Sequence, residues 1–220
     1  MKHRLIDILP LAIFLANLTA FDSSPNTSQK PCLVFWRANS GNGGSSRNTM
    51  NLIKSENSDL DEIFILYRSA ADLMRDKAVV TVWPEFDREM VISELLEGRQ
   101  WKGVIDGKSA CVWAVGYSDP QIWGERDADP SVYIHRIATR PEFRGKGLVS
   151  KIVDWARDHA KSKNLKYIRM DTVGENHGLI SHYRKHGFDF LGLSKLGDTA
   201  GLPAHYHNAT VSLFQIELEQ

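Results

Sequence analysis

A glycine-rich turn between a strand-like and a helix-like segment constrains the fold of this chain more than any other feature. Residues 132–139 are typical of a strand, and residues 148–163 have the apolar periodicity of an amphipathic helix. The turn between them comprises Arg144, Gly145, Lys146, Gly147, Leu148 and Val149. Backbone N–H groups at a helix start lack intrahelical partners and lie at the positive end of the helix dipole. The turn is therefore predicted to bind phosphate, with Arg144 and Lys146 adding cationic donors.

Two common phosphate-binding loops do not fit this turn. A nucleoside-triphosphate loop has Gly-x-x-x-x-Gly-Lys-Ser/Thr, whereas Lys146 lies between the two glycines here. The pattern Gly-x-Gly-x-x-Gly, with an acidic residue ending a second parallel strand, is not matched either, which disfavours a dinucleotide fold. The turn instead resembles the signature of the Gcn5-related N-acetyltransferase (GNAT) family, Arg/Gln-x-x-Gly-x-Gly/Ala. Arg144 and Gly147 match its first and fourth positions, while Val149 stands where Gly or Ala is usual and must turn its side chain away.

A second motif, about thirty residues further along, supports the same resemblance. Residues 167–172 are predicted to form a strand, and residues 176–186 a short helix. Asn176 is a suitable N-cap, and Gly187 a suitable left-handed residue after the helix. Asn176 and Tyr183 are two turns apart, so they share one helix face. In the family the Asn helps to seat the pantetheine arm of acetyl-coenzyme A, and the Tyr hydroxyl faces the thioester sulfur.

The resemblance covers roughly residues 50–218 and implies a three-layer α/β/α fold with a mixed, mostly antiparallel central sheet. Periodicity and turn signals predict strands at 51–54, 101–106, 109–117, 132–139, 167–172, 189–194 and 210–218, and helices at 60–76, 87–97, 148–163 and 176–186. The resemblance also implies acetyl-coenzyme A as cosubstrate, held by Ile137, Ala138, Thr139, the turn 144–149 and Asn176.

Acetyl transfer to an amine sets three chemical requirements. The amine must lose a proton, the carbonyl oxygen needs a fixed donor, and the thiolate leaves more easily when it is protonated. The resemblance assigns the last role to Tyr183, and the oxyanion donor to a backbone N–H near Ile137 or Ala138. His135 is the candidate base, because an imidazole pKa of about 6.5 suits proton abstraction at neutral pH. A histidine hydrogen-bonded to a neighbouring strand is the equal alternative. Tyr133 shares the strand face of His135 and could hold a relay water.

The acceptor side is expected to be built by helices 60–76 and 87–97 and by the variable loops. Trp83, Phe86 and Trp123 favour an apolar or planar acceptor, although each is also an ordinary core aromatic. The candidate polar residues near the pocket are Glu125, Arg126 and Asp127 before strand 132–139, and His205, Tyr206 and His207 before the last strand. Solvated loop residues are the alternative for all six.

Two functions from different classes remain open at this point. The first is an N-acetyltransferase that uses acetyl-coenzyme A and an unidentified amine acceptor, by direct attack in a ternary complex. The second is a non-catalytic sensor or interaction module that binds acetyl-coenzyme A. The presence of both Tyr183 and His135 favours the enzyme, because a binding module needs neither.

The first 49 residues differ from the rest in composition. Residues 1–4 are basic, residues 5–18 are largely apolar, and residues 19–20 could precede a cleavage, as in a secretory signal peptide. Residues 21–49 have the composition of a disordered linker. The favoured prediction is that Met50 is the natural start of a cytoplasmic domain, 50–220, and that the leader comes from an overextended reading frame. A true export signal is the alternative, which would separate the enzyme from its cosubstrate.

Composition excludes several classes of protein. The 220 residues are 42% hydrophobic, which suits one soluble domain with a proper core. Lysine and arginine number 27 against 27 acidic residues, so no nucleic-acid surface is expected. The two cysteines exclude a disulfide scaffold, and no Cys/His spacing indicates a metal site. No membrane partner is expected, and a homodimer is left open.

Overall fold

A seven-stranded sheet with helices on both faces forms the body of the protein. The computed structural model describes residues 49–219, except 78 and 80. The strands are β1 (Asn51–Lys54), β2 (Gln100–Ile105), β3 (Lys108–Gly116), β4 (Ser131–Thr139), β5 (Tyr167–Val173), β6 (Asp189–Lys195) and β7 (Thr210–Glu217). The helices are α1 (Leu60–Asp76), α2 (Arg88–Leu96), α3 (Pro120–Trp123), α4 (Leu148–Ser162) and α5 (His177–Lys185). The predictions for residues 1–48 lie outside the described residues.

The strand order is β1-β2-β3-β4-β5-β7-β6. Within the described ranges β4 and β5 run parallel, and every other pair of neighbouring strands is antiparallel. The predicted three-layer α/β/α fold with a mixed, mostly antiparallel sheet is confirmed. None of the helices in these ranges is long and apolar enough to cross a membrane.

Short-range signals in the sequence set the ends of the helices. The Asp87 carboxylate accepts a hydrogen bond from the Glu89 N–H at 2.7 Å and caps α2. The Asn176 side-chain oxygen accepts from the Leu179 N–H at 3.0 Å and caps α5. Gly187 follows α5 with φ 89°, a left-handed conformation that costs glycine little. The predicted N-cap of α5 at Asn176 and the predicted left-handed residue after it, Gly187, are both confirmed.

The connection between β3 and β4, residues 117–130, differs most from expectation. The sequence predicts a loop before β4, whereas the structure has the one-turn helix α3 followed by a 3₁₀ segment, Gly124–Ala128. A helix of one turn that begins with proline is too short to give a helical periodicity. Gln121 Nε2 donates to the Ala200 carbonyl at 3.0 Å, so the connection reaches the loop before β7. We call residues 117–130 the strap.

The two faces of the sheet bury separate groups of apolar side chains. One group, which includes Val132 and Ile134 of β4, packs with α4 and α5. The other group, which includes Tyr133 and Ala138, packs with α1, α2 and the strap. Side chains alternate along a strand, so sequence neighbours serve opposite faces. We call these the α4 face and the α1 face.

Candidate active site

β4 and β5 pair over only part of their length, which leaves an opening at the centre of the sheet. Their parallel pairing comprises Ser131–Tyr167, Val132–Ile168 and Tyr133–Arg169. β4 continues to Thr139 and β5 to Val173 without further pairing between them. Beyond Tyr133, the strand partner of β4 is β3 alone. The edge of β4 that contains the predicted cofactor residues Ile137, Ala138 and Thr139 therefore faces the opening.

A β-bulge interrupts β4 beside this opening. The register between β3 and β4 shifts between Val112 and Ala114, so that β4 has an extra residue at this point. Arg136 has φ 49°, a left-handed conformation that is uncommon for a residue other than glycine. The sequence predicts an oxyanion donor near Ile137 or Ala138, and the bulge directly precedes these two residues.

A buried ion pair holds the bulge in place. The Arg136 guanidinium donates to the Glu94 carboxylate of α2, and both side chains are fully buried. Glu94 also accepts from Gln100 Nε2 at 2.7 Å, and Arg136 Nε donates to the Tyr67 hydroxyl at 3.3 Å. Burial opposes ionisation of Arg136, but the adjacent Glu94 carboxylate keeps the pKa of the guanidinium above its usual range. The network joins α1 and α2 to the strand that carries the predicted oxyanion donor.

The predicted phosphate turn leads into α4 with its backbone accessible. Gly147 is the N-cap of α4 with φ 68°, and it has no side chain to bond the first N–H groups of the helix. A Cβ added at Gly147 would meet no atom within 4 Å, so the space beside it is open. Val149 is 1% exposed and packs in the core of the α4 face, so its side chain turns away as expected. This geometry suits an anion at the helix N-terminus.

The two cations of the turn take different positions. Arg144 points inward, because its Nη2 donates to the carbonyl and to the hydroxyl of Ser69 in α1, both at 3.0 Å. Arg144 Nε donates to the Thr139 carbonyl at 3.3 Å. Lys146 is exposed, with its Nζ 4.8 Å from the centre of the Phe143 ring. Arg144 thus ties the turn to α1 and β4, and its contact with phosphate stays a prediction.

Tyr183 lies in the core of the α4 face. It is fully buried, and its ring centre lies 5.1 Å from that of Phe214 and 5.9 Å from that of Phe188. Phe214 is the β7 partner of Met170, which lies on β5 beyond the last residue paired with β4. Asn176 uses its side-chain oxygen as the helix cap, so its amide NH₂ group is the part that can donate to a ligand. The contacts of both residues with a cosubstrate stay predictions.

Three buried acidic and imidazole side chains meet on the α1 face. His135 of β4, Asp171 of β5 and Asp119 of the strap each place one side-chain N or O atom within 4.8 Å of the others. All three residues are fully buried. The Tyr206 hydroxyl donates to Asp171 Oδ2 at 2.9 Å, and the Tyr133 ring stacks on His135 with 6.4 Å between centres. The candidate base His135 is therefore one member of an acid–imidazole cluster.

Burial shifts the pKa values of the carboxyl groups and of the imidazole in opposite directions. Burial raises the pKa of Asp171 to about 7, although the hydrogen bond from Tyr206 acts in the opposite direction. Burial, and next the nearby Asp171, raise the pKa of Asp119 well above its usual range. Burial, and next the Arg136 charge, lower the pKa of His135 well below its usual range. Asp171 is thus the member that exchanges a proton near neutral pH, while His135 stays neutral.

The three aromatic residues predicted for the acceptor side fall in two places. Trp83 and Phe86 pack against Tyr67 of α1, with ring centres 5.8 Å and 5.1 Å from it. Trp123 lies in the strap, 5.7 Å from Tyr133 between ring centres, and so adjoins the cluster. All three predicted aromatics are buried on the α1 face.

The polar loop residues also divide. Glu125 and Arg126 are exposed, but Asp127 is partly buried and accepts from the Tyr133 hydroxyl at 2.7 Å. The alternative of a solvated loop residue is therefore wrong for Asp127. It is wrong for Tyr206 as well, because Tyr206 is fully buried and its hydroxyl donates to Asp171. The neighbours of Tyr206 differ, since His205 is partly buried and His207 is exposed.

Sequence reasoning missed Asp119, Asp171 and the Arg136–Glu94 pair as parts of this site. Asp171 carries a signal, because an acidic residue inside an otherwise apolar strand must find a partner or a function. Asp119 carries none, because Asp before Pro is common in ordinary turns. Glu94 lies in a predicted helix, and an acidic residue on a helix is usually solvated.

The sequence pattern of the acetyltransferase (GNAT) family matches residues 70–188, which contain the bulge, the turn before α4 and the whole of α5. The chain belongs to this family. An uncharacterized N-acetyltransferase of Bacillus subtilis, YesJ, is 33% identical over 79 residues, which are 36% of this chain and 44% of that protein. The chain thus aligns with less than half the length of the curated relatives that it matches.

Solved structures share the GNAT fold. A GNAT-family acetyltransferase from Listeria monocytogenes superposes with a TM-score of 0.61 at 21% identity, over 77% of this chain and 95% of that protein. A GNAT-family acetyltransferase from Streptococcus agalactiae gives a TM-score of 0.60 at 21% identity, over 78% and 96%. At such low identities the structural similarity establishes the fold alone. Membership of the family rests on the match of residues 70–188 to the family's sequence pattern.

Proposed function

We propose that this acetyltransferase moves the acetyl group of acetyl-coenzyme A to an amine by direct attack in a ternary complex. The observation that carries the proposal is the arrangement around the β4–β5 opening. α4 and α5 pack on one face of the sheet, and the acid–imidazole cluster lies on the other. Cosubstrate and amine then approach the same point of the sheet from different sides.

The turn and the open edge of β4 fit acetyl-coenzyme A. The N–H groups of residues 144–149 would bind the pyrophosphate, since the space beside Gly147 is open to an anion. Ile137, Ala138 and Thr139 would offer backbone groups to the amides of the pantetheine arm, and Asn176 its amide NH₂. When bound, the cosubstrate supplies an acetyl group activated as a thioester.

Asp171 is the proposed final acceptor of the amine proton. Its pKa of about 7 suits a general base that works near neutral pH. His135 would pass the proton, because a neutral imidazole carries one donor and one acceptor nitrogen. The hydrogen bond from Tyr206 stabilises the carboxylate form of Asp171. This division of labour replaces the single base at His135 with a pair.

The bond changes balance with these groups. The amine nitrogen bonds to the acetyl carbon while the carbon–sulfur bond breaks. The amine proton passes through His135 to Asp171, and the sulfur takes the proton of the Tyr183 hydroxyl. The Ile137 N–H at the bulge stabilises the negative charge on the carbonyl oxygen. Exchange with solvent then returns a proton to Tyr183 and removes one from Asp171.

A sensor that binds acetyl-coenzyme A without turnover is the alternative function. Such a module needs the phosphate turn, but it gains nothing from burying two carboxyl groups beside an imidazole. Buried carboxyl groups with raised pKa values lower the stability of the fold near neutral pH, and they occur most often where catalysis uses them. The cluster therefore favours the enzyme.

Release of free coenzyme A over a panel of amines separates the two functions. The wild-type chain should release coenzyme A with at least one amine, and Asp171→Asn should release it far more slowly at unchanged acetyl-coenzyme A affinity. Binding without release across the panel would support the sensor. About one zinc ion per chain in protein purified without added metal would instead assign Asp119, His135 and Asp171 to a metal site.

A further inference from the structure

We propose that a groove between the strap and β6 binds the body of the acceptor, and that this acceptor is an amino acid with an apolar side chain. The proposal rests on the acetyl transfer proposed above and names its substrate class. The groove has a volume of about 490 Å³, within the roughly 300–1,000 Å³ that is usual for small-molecule sites.

The groove has an apolar floor within a lining whose exposed surface is otherwise mostly polar. The floor is formed by Ile122 and Trp123 of the strap, Leu191 and Leu196 at β6, and Leu213 of β7. Ile122, Trp123, Leu196 and Leu213 are at most 6% exposed and belong to the core of the α1 face, so the floor is rigid. A floor of this composition suits an aliphatic or aromatic side chain of the acceptor.

The groove backs directly onto the acid–imidazole cluster. Leu213 is the cross-strand partner of Asp171, and paired residues of antiparallel strands share a face. The centre of the Tyr133 ring lies 5.7 Å from that of Trp123 and 6.4 Å from that of His135. An acceptor seated in the groove is thus separated from Asp171 by one side chain, that of Leu213, and from His135 by two, those of Trp123 and Tyr133.

The charges around the groove are arranged in two zones. Arg126 and Lys195 line its exposed rim, and within the described part of the chain neither side chain makes an ion pair or a hydrogen bond. Glu125 is the acidic residue of the rim, which leaves the rim cationic overall. Behind the floor, outside the lining of the groove, lies Asp171, the proposed proton acceptor and the strand partner of Leu213. This polarity matches a molecule whose carboxylate stays at the rim while its amine points inward.

The strap is built to hold this shape. Arg169 Nη2 donates to the Asp129 carboxylate at 2.8 Å, and its Nη1 donates to the Arg126 carbonyl. Tyr133 holds Asp127, and Gln121 holds the loop before β7. Arg126 is therefore fixed by its backbone while its side chain remains free to meet a carboxylate at the rim.

Three matched acceptors test the assignment with the full chain and acetyl-coenzyme A. L-phenylalanine, L-phenylalaninamide and phenethylamine share one ring and one primary amine, but only the first has a carboxylate. We expect kcat/KM for phenylalanine to exceed the other two by about 10- to 100-fold, the range for hydrogen bonds to charged groups. Equal rates for the three amines would overturn the carboxylate zone and leave the acetyl transfer intact.

Charge reversal at the rim gives a second arm. Arg126→Glu combined with Lys195→Glu should raise the KM for phenylalanine by about 10- to 100-fold relative to the KM for phenethylamine, which has no carboxylate to lose a partner. Lys108→Glu, at the exposed first residue of β3, is the control and should leave both KM values unchanged. An unchanged KM for phenylalanine in the double variant would remove the rim from the acceptor site.

Obstruction of the groove gives a third arm. Ser194→Trp places a large ring at a partly buried position of the lining and should abolish turnover of phenylalanine at unchanged acetyl-coenzyme A affinity. If the wild type acetylates no amine, the proposed function fails, and calorimetry with phenylalanine decides the groove separately. Saturable binding that the double variant loses supports the groove, and the absence of heat overturns it.

Discussion

The α4 face and the α1 face of the same sheet are built by different physical means. The α4 face is packed mainly by aliphatic and aromatic side chains. The fully buried acidic and basic side chains of the described residues all lie on the side of α1, α2 and the strap, and they are Glu94, Asp119, His135, Arg136, Arg169 and Asp171. One face therefore contributes packing and a helix terminus, and the other contributes acid–base groups.

The difference shows that apolar packing dominates one face of the sheet, while the other contains the buried charged groups that chemistry requires. The hydrophobic effect is non-directional, so burial of apolar surface stabilises the folded state without requiring one specific geometry. The α4 face should therefore tolerate apolar substitutions that conserve volume. Buried charges stabilise only as complete sets, because the loss of one partner leaves the other desolvated and unpaired. We expect the α1 face to respond to single substitutions more sharply than the α4 face, with Tyr183 as the exception on the latter.

The largest effect is expected at that exception. Tyr183→Phe removes one hydroxyl and keeps the ring against Phe188 and Phe214, so the fold should persist. Turnover should fall by about 10²- to 10⁴-fold, the range for a general acid, with acetyl-coenzyme A affinity little changed. Steady-state rates and calorimetry measure the two quantities. Full activity would mean that solvent protonates the sulfur, and the α4 face would then supply no acid–base group.

The next effect concerns the ion pair on the α1 face. Glu94→Ala leaves the Arg136 guanidinium buried without its carboxylate and should lower the free energy of unfolding by about 3–5 kcal/mol in urea titrations. Glu97→Ala, one residue beyond the end of the same helix and partly exposed, should cost about 1 kcal/mol or less. Equal losses in the two variants would show that the buried pair is not what holds α2 to the bulge.

Stability against pH gives the third comparison. The Asp171 carboxyl has a pKa near 3.8 when unfolded and about 7 when folded. Between these values the folded state binds more protons, so its contribution to stability falls as pH rises from about 4 to about 7. Asp171→Asn removes this loss. Its stability relative to wild type should therefore rise by up to about 4 kcal/mol between pH 4 and pH 8, at about 1.4 kcal/mol per pKa unit. A difference that stays constant with pH would refute the raised pKa.

A smaller effect is expected at the phosphate turn. Gly147→Asp should weaken acetyl-coenzyme A binding about tenfold more than Gly147→Asn does, which corresponds to about 1.4 kcal/mol. Asn and Asp have similar shapes and both tolerate the left-handed conformation at φ 68°, so the comparison isolates the charge. Equal affinities for the two variants would place the pyrophosphate elsewhere.

No effect is expected from removal of residues 1–49. Both faces of the sheet and the whole candidate site lie within 50–220, so this fragment should keep the melting temperature and the acetyl-coenzyme A affinity of the full chain. Thermal unfolding and calorimetry compare the two proteins. A drop of several degrees in the fragment would show that the leader packs on one of the faces.

Local rules were enough to predict most elements of the fold. Asp106-Gly107 predicts the β2–β3 hairpin, and both residues have the positive φ that its turn requires, 50° and 77°. The helix over 60–76 is found at those residues, because its apolar spacing spans more than four turns. These rules did not predict α3, because a single helical turn is too short to show a helical periodicity in the sequence.

The candidate site was predictable only where a motif is contiguous. The turn 144–149 and the pair Asn176–Tyr183 each lie within one short segment, so spacing alone brings their residues together. Asp119 and Asp171 come from segments about fifty residues apart, and only the pairing of β3, β4 and β5 places them beside His135. No local rule carries that information, because it depends on strand order.

The strap also fixes an order of events in time. Its hydrogen-bond partners outside itself, which include Tyr133, Arg169 and Ala200, come later in the chain, whereas β3 and β4 pair directly with each other. The strap can dock only after β5 and the loop before β7 have taken their places. Segments that dock last on an assembled sheet usually open at lower cost than the whole protein unfolds. Amide hydrogens of the strap should therefore exchange sooner than those of β4, and the groove that the strap lines should open before the central strands separate.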